Sequence, residues 1–361
     1  MRPRVEATID LNALSHNYNV IKNLVSKDTQ IMPMVKANAY GHGLIEVAQH
    51  LQEADAFGVA TLPEAFKLRD SGIKQDLFVM CGFRNADELS LFSELDLTAV
   101  VHHPDQVDWL LQASLEKPIS VWLKVDTGMH RLGVSPEDFP SIVDKLNQSS
   151  NICHPFGIMT HLANADADKE FTQHQVDLFD KLTKDLDQPK SVANSAGILA
   201  FKAAHHQLVR PGIMLYGVSP FADKTGADLG LKPAMRFTSN LVAHKQVKKG
   251  EYIGYGCTWQ ADRDLVVGIV TVGYGDGYPR HAQNGTPVMV DNRVCPLVGR
   301  VSMDLLAIDI SAVPNPTIGQ SVVLWGEELP AEMVATSSDT IAYELFCQLT
   351  ERVMKHVKIR S

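Results

Sequence analysis

The stretch Val35-Lys-Ala-Asn-Ala-Tyr-Gly-His-Gly43 follows the apolar run Gln30-Ile-Met-Pro-Met34 and carries a lysine, an amide and a tyrosine into a Gly-His-Gly turn. A lysine at a strand end is ordinarily a solvated charge. It becomes a reactive amine when desolvation and neighbouring cations lower its pKa from about 10.4. The chain supplies candidate neighbours, each after another apolar run: Lys124, Asp126 and Arg131; His161; Asn194 and Ser195; and Arg210 with Gly212. Like charges brought together repel unless an anion offsets them. Two lysines, two arginines and a histidine along one rim therefore call for a phosphate and a carboxylate between them.

Elements of regular length must bring these residues to one place. Eight strand candidates run over 30–38, 56–61, 77–83, 97–103, 121–128, 156–163, 191–197 and 208–217. Segments with 3.6-residue periodicity separate several of them, among them GLIEVAQHLQEA, LPEAFKLRDSG and KEFTQHQVDLFDKLTKDL. Asn85 reads as a helix cap, and Ser135-Pro-Glu-Asp as another, with proline at the first helical position. Eight strands with connections long enough for right-handed crossovers close a (β/α)8 barrel of the TIM type. Such barrels do their chemistry at the C-terminal strand ends and commonly hold phosphate in the loops after strands seven and eight, here Asn-Ser-Ala-Gly and Arg-Pro-Gly-Ile. An imine-forming lysine facing a phosphate cradle is what pyridoxal 5′-phosphate requires.

The rhythm changes near Leu231. Runs such as RFTSNLVAHKQV, LVVGIVTVGYG and SVVLW are β-rich, with one helix-like segment, SDTIAYELFCQLTERV, near the end. The expected division is therefore a barrel over 1–231 and a mainly β domain over 232–361, with Val5-Glu-Ala-Thr-Ile-Asp-Leu11 free to pair with either. A net charge of −9 and a pI near 5.8 argue against a nucleic-acid or anionic-membrane surface. The five cysteines are scattered without a C-x-x-C pair, which suggests neither a disulfide framework nor a metal site, and Cys153 and Cys257 read as packing residues. With no long apolar run, the expectation is a cytoplasmic protein.

Taken in order, VKANAYGHG, LKVDTGMHRLG, THLANAD, NSAG, VRPGIMLYG, GYGCTW, VGYGDGYPR and VGRVSMDL resemble the alanine racemases, pyridoxal-phosphate enzymes with a barrel and a β domain. The likeness spans nearly the whole chain. It implies that Lys36 holds the cofactor and acts as the base on D-alanine. Tyr255 would be the opposing base, acting on L-alanine and donated by the other subunit of a homodimer. It further implies Tyr40, Ser195, Gly212 and Ile213 at the phosphate, Arg210 at the pyridine nitrogen, and His161 directed toward the tyrosine base. Arg131 and the backbone of Met303 would bind the substrate carboxylate. Tyr274 and Arg280, with Asp304, would shape the approach to the site. Lys124 occupies a position that is often N-carbamylated in the family. The family also places a phosphate-contacting tyrosine near the C-terminal end, where an ungapped extension from Tyr343-Glu-Leu-Phe-Cys sets Glu351; a carboxylate there would repel phosphate, so either Tyr40 and Ser195 carry more of the contact or the register slips.

Those implications agree with the chemistry. Racemisation removes a proton from one face of Cα and delivers one to the other, and two fixed bases do this without moving either. Arginine stays protonated, so an arginine at the ring nitrogen leaves that nitrogen unprotonated and weakens the electron sink. The expected activity is interconversion of L- and D-alanine, supplying D-alanine for peptidoglycan. A racemase of broader specificity, acting on serine or lysine, is the nearest alternative. A non-catalytic cofactor carrier would have no use for the second domain, and a decarboxylase must expel the carboxylate that Arg131 is placed to hold.

Overall fold

A computed structural model describes residues 4–358. Eight short strands follow the order expected for the barrel: β2 (Gln30–Ile31), β3 (Ala56–Val59), β4 (Asp76–Val79), β5 (Leu97–Val101), β6 (Ser120–Lys124), β7 (Gly157–Met159), β8 (Lys190–Ser191) and β9 (Leu208–Val209). Strands β3 to β8 form one parallel sheet, and β2 pairs with β9 in parallel. The ring closes through backbone bonds outside the strands proper. Val35 N–H donates to Gly58 O and Gly58 N–H to Pro33 O, each at 2.9 Å, while Arg210 N–H reaches Ala193 O at 2.9 Å. The strands are shorter than the apolar runs because their C-terminal residues leave the ladder to build the rim.

Helices wrap the outside with apolar faces inward. Phe139–Asn147 buries Phe139, Ile142, Val143 and Leu146, and Lys169–Thr183 buries Val176 and Phe179. Asn85 caps its helical segment through the Glu88 N–H, as expected. Ser135 does not cap a helix. Its hydroxyl closes a turn with Asp138, and the helix starts at Phe139.

The long strand β10 (Met235–Val247) organises the second sheet. With β13 (Leu265–Val270), β14 (Pro287–Val290), β15 (Arg293–Pro296), β16 (Leu306–Asp309), β17 (Ser321–Trp325) and β18 (Met354–Lys358) it accounts for most of this unit. Strands β11 (Tyr252–Ile253) and β12 (Trp259–Gln260) form a hairpin apart from the main sheet. Strand β1 (Val5–Asp10) belongs to this sheet: it runs antiparallel to β10 and parallel to β18. A barrel beginning at residue 1 is therefore corrected, since β1 alternates buried and half-buried residues as a sheet with one covered face requires. The expected C-terminal helix is also shorter, Ala342–Cys347, because the chain must turn to enter β18. Among the described residues no helix is long and apolar enough to cross a membrane. Cys153 and Cys257 are exposed, which corrects their reading as packing residues.

Candidate active site

Lys36 leads into an unusual turn. Ala37, Asn38, Ala39 and Tyr40 all take left-handed backbone angles, with φ between 51° and 56°. Each such non-glycine residue costs roughly 1–2 kcal/mol, less for asparagine, so the run persists only where its surroundings hold it. Those restraints come from several elements. Glu64 accepts the Ala37 N–H at 2.8 Å, the Asn38 side chain accepts the Leu44 N–H at 2.9 Å, and His42 Nδ1 lies 2.8 Å from Tyr40 O. The turn sets both Lys36 and Tyr40 on one cavity of about 600 Å³ at the C-terminal mouth of the barrel.

Lys124, Arg131, His161, Asn194, Ser195, Arg210 and Gly212 line the same cavity, with no carboxylate among the lining residues. Lys124 is 6% exposed and makes no ion pair among the described residues. Burial first, then Arg210 and Arg131, bring its ammonium down to about 8. Burial and the Arg131 charge lower Lys36 in the same direction. Arg210, 3% exposed, is lowered to about 10 by burial. Its Nη2 donates to Thr160 O at 2.6 Å and Val192 O at 3.1 Å, and lies 3.4 Å from His161 Nδ1. A guanidinium only donates, so His161 Nδ1 is the acceptor and the neutral ring carries its hydrogen on Nε2. Burial and the surrounding cations hold His161 well below the usual histidine range.

The surroundings of Gly212 are set by close approach. Ser195 Oγ accepts the Gly212 N–H at 2.9 Å, and Tyr40 Oη lies 2.8 Å from where a Cβ on Gly212 would stand. Ile213 is buried immediately behind in a short helical turn and does not line the cavity. Asn38 and Asp126 are also turned away: Asp126 accepts the Gly128 and His130 N–H groups and pairs with His130 instead of bridging to Lys124. The residue missing from the sequence reading is Tyr343. It lines the cavity with its ring 5.8 Å from that of Tyr40, while Glu351 is exposed on the turn before β18. Its signal was the apolar pattern of Tyr343-Glu-Leu-Phe-Cys, a buried helix face that the ungapped register passed over.

Tyr255, Tyr274, Met303 and Asp304 lie on the β unit, and none lines the Lys36 cavity. Tyr255 is 72% exposed after β11 and borders a separate cavity with Tyr252, Arg300 and Leu305. Tyr274 N–H donates to Ser302 O and Gly275 N–H to Met303 O, which packs these two loops together, and Asp304 pairs with Arg352 at 2.5 Å. Arg280 borders another shallow cavity with His281 and Arg300. Within one chain, the lysine and Tyr255 therefore stand at different sites.

A desolvated lysine amine, a buried arginine and a tyrosine–glycine–serine contact share one cavity at the strand ends of a parallel barrel, the face where barrel enzymes place their active sites. Residues 9–220 match the family described as alanine racemase, N-terminal domain, and residues 234–357 match alanine racemase, C-terminal domain. A protein named alanine racemase from Coxiella burnetii is 48% identical over 97% of this chain and 98% of its own length. One from Vibrio atlanticus is 48% identical over 98% and 99%. The crystal structure of biosynthetic alanine racemase from Pseudomonas aeruginosa superposes with a TM-score of 0.96 at 42% identity, covering 99% of this chain and 100% of that one. The chain belongs to the alanine racemase family.

Proposed function

We propose that the protein interconverts L-alanine and D-alanine with pyridoxal 5′-phosphate attached through Lys36, in a cytoplasmic homodimer that supplies D-alanine for peptidoglycan. The observation that carries this reading is the shared cavity: a lysine of lowered pKa faces a buried arginine and a tyrosine–glycine–serine cradle with no carboxylate among them. The cofactor fits those residues. The contact between Tyr40 Oη and Gly212 leaves no room for a side chain, as a phosphate cradle requires, and the excess of cations matches an anionic ligand.

Tyr40, Ser195 and Gly212 would hold the phosphate, with Tyr343 beside them and Ile213 packed behind. Arg210, fixed by Thr160 and Val192 carbonyls, would present its remaining edge to the pyridine nitrogen. When bound, the cofactor delocalises the electron pair left at Cα. Lys36 exchanges the proton on the D-alanine face, favoured as a base by its lowered pKa. Tyr255 of the partner subunit serves the L-alanine face, supported through His161. The β domain, from residue 232, would carry that tyrosine together with Met303, Tyr274 and Asp304, while Arg131 and the Met303 backbone fix the substrate carboxylate.

Alanine incubated with the holoprotein in deuterium oxide should gain one deuterium at Cα from either enantiomer. Release of carbon dioxide, or turnover of serine or lysine as fast as alanine, would overturn the assignment.

A further inference from the structure

His42 is buried, 1% exposed, beneath the turn that carries Lys36 and Tyr40. Its Nδ1 lies 2.8 Å from Tyr40 O and 3.2 Å from Ala39 O. Carbonyl oxygens only accept, so Nδ1 bears the hydrogen. Its Nε2 is buried and has no hydrogen-bond partner among the described residues. A proton there would create a buried, unpaired charge, and the ring is accordingly held neutral by burial.

The ring also has two aromatic neighbours. It lies 4.5 Å from the Tyr216 ring and meets Phe346 edge-on at 5.1 Å. Tyr216 in turn lies 4.9 Å from the Tyr40 ring and donates its hydroxyl to Met34 O at 2.9 Å. Phe346 belongs to the same short helix as Tyr343, and its carbonyl is so close to Gly41 that a Cβ there would stand 2.2 Å away. His42 thus joins the left-handed turn on one side to the C-terminal helix on the other.

An ordinary packing residue does not explain a histidine at this place. Phenylalanine would keep both ring contacts and leave no orphan nitrogen. What phenylalanine lacks is a donor aimed at the carbonyls of a backbone that has abandoned right-handed helical pairing. We infer that His42 is a positioning residue: as the neutral Nδ1–H tautomer it fixes the left-handed turn that presents Lys36 and Tyr40, and it seats the Tyr343 helix against that turn. The inference rests on the reading of Lys36 as the cofactor attachment.

Two measurements test it. Nitrogen-15 spectra of histidine-labelled parent protein at pH 7, with and without cofactor, should show His42 neutral and protonated at Nδ1. A ring protonated at Nε2, or at both nitrogens, overturns the inference without any variant. In titrations of apoprotein with pyridoxal phosphate, His42→Phe should bind about tenfold more weakly than the parent, the scale of one lost buried hydrogen bond, at a similar melting temperature. His42→Asn places an amide N–H near the Nδ1 position and should recover affinity to within about threefold, although it melts lower for want of the ring. Affinity unchanged in His42→Phe, or affinity and melting temperature falling together in both variants, overturns the positioning role. Should His42→Phe not fold, the tautomer and the asparagine variant decide. Should the parent itself take up no pyridoxal phosphate, the reading of Lys36 falls while the tautomer assignment stands.

Discussion

Tyr40 and Gly212 meet across the cavity so closely that the tyrosine hydroxyl stands 2.8 Å from the place a Cβ on Gly212 would occupy. Two elements far apart in sequence are thereby set at one spacing, with Ser195 Oγ bonded to the same glycine N–H. Gly212→Ala should displace the Tyr40 ring from its tilted contact with Tyr216, at a cost of about 1–3 kcal/mol in cofactor binding. Titration of the apoprotein with pyridoxal phosphate measures it, and an affinity equal to the parent's would show that the contact is slack.

Lys124 makes stability depend on pH. The folded protein releases its proton at about 8 and the unfolded chain near 10.5, so between those values the unfolded state binds more protons and apoprotein stability rises with pH. The gain is complete above 10.5 and is lost as pH falls through about 8; its size is on the order of 3 kcal/mol. Lys36 adds to the slope with the same sign. Lys124→Met should remove the larger share and raise stability at pH 7. Urea unfolding at pH 7.5 and 10 checks it, and equal slopes in parent and variant would refute the burial argument.

The same amine is poised to react with carbon dioxide. Its neutral Nζ can form an N–C bond to carbon dioxide with release of one proton, which turns a neutral amine into an anion beside Arg131 and Arg210. We expect a bound carbonyl signal from carbon-13 bicarbonate in the parent that Lys124→Met lacks. A plain ammonium at high bicarbonate would remove the proposal.

Because Lys36 and Tyr255 stand at different sites of one chain, two dead variants should revive each other. Lys36→Ala and Tyr255→Phe, each reduced at least about a hundredfold alone, should recover about one quarter of parental activity after mixed refolding, since half the dimers are hybrids with one intact site. Recovery no greater than the sum of the single variants would end the shared-site reading.

Arg210→Glu removes the donors to the Thr160 and Val192 carbonyls and sets a carboxylate among them. A loss of roughly 3–5 kcal/mol in stability follows. In the fraction that folds, transamination should rise relative to racemisation, because a carboxylate at the ring nitrogen strengthens the electron sink. An unchanged ratio would count against that role for the arginine.

Much of the barrel was legible because eight apolar runs recur with helix-like segments between several of them, and polar residues gather where the strands must end. The left-handed turn was not. Ala37 and Ala39 have no local reason to leave the right-handed region; Glu64, Asn38 and His42 impose the conformation through contacts that composition does not reveal. Tyr343 was passed over for a related reason, since its place beside Tyr40 depends on the short helix ending at Cys347 and the chain turning back into β18. The pairing of β1 was equally hidden, because its partners β10 and β18 both follow the barrel in sequence.

That pairing orders events during synthesis. Val5–Asp10 leaves the ribosome before the barrel does, yet one of its flanks is covered only when Met354–Lys358 has emerged. Contacts so distant in sequence close large loops and form slowly. A nascent chain therefore carries an uncovered strand past the whole barrel during translation, and Met354–Lys358 completes a sheet that Val5–Asp10 began.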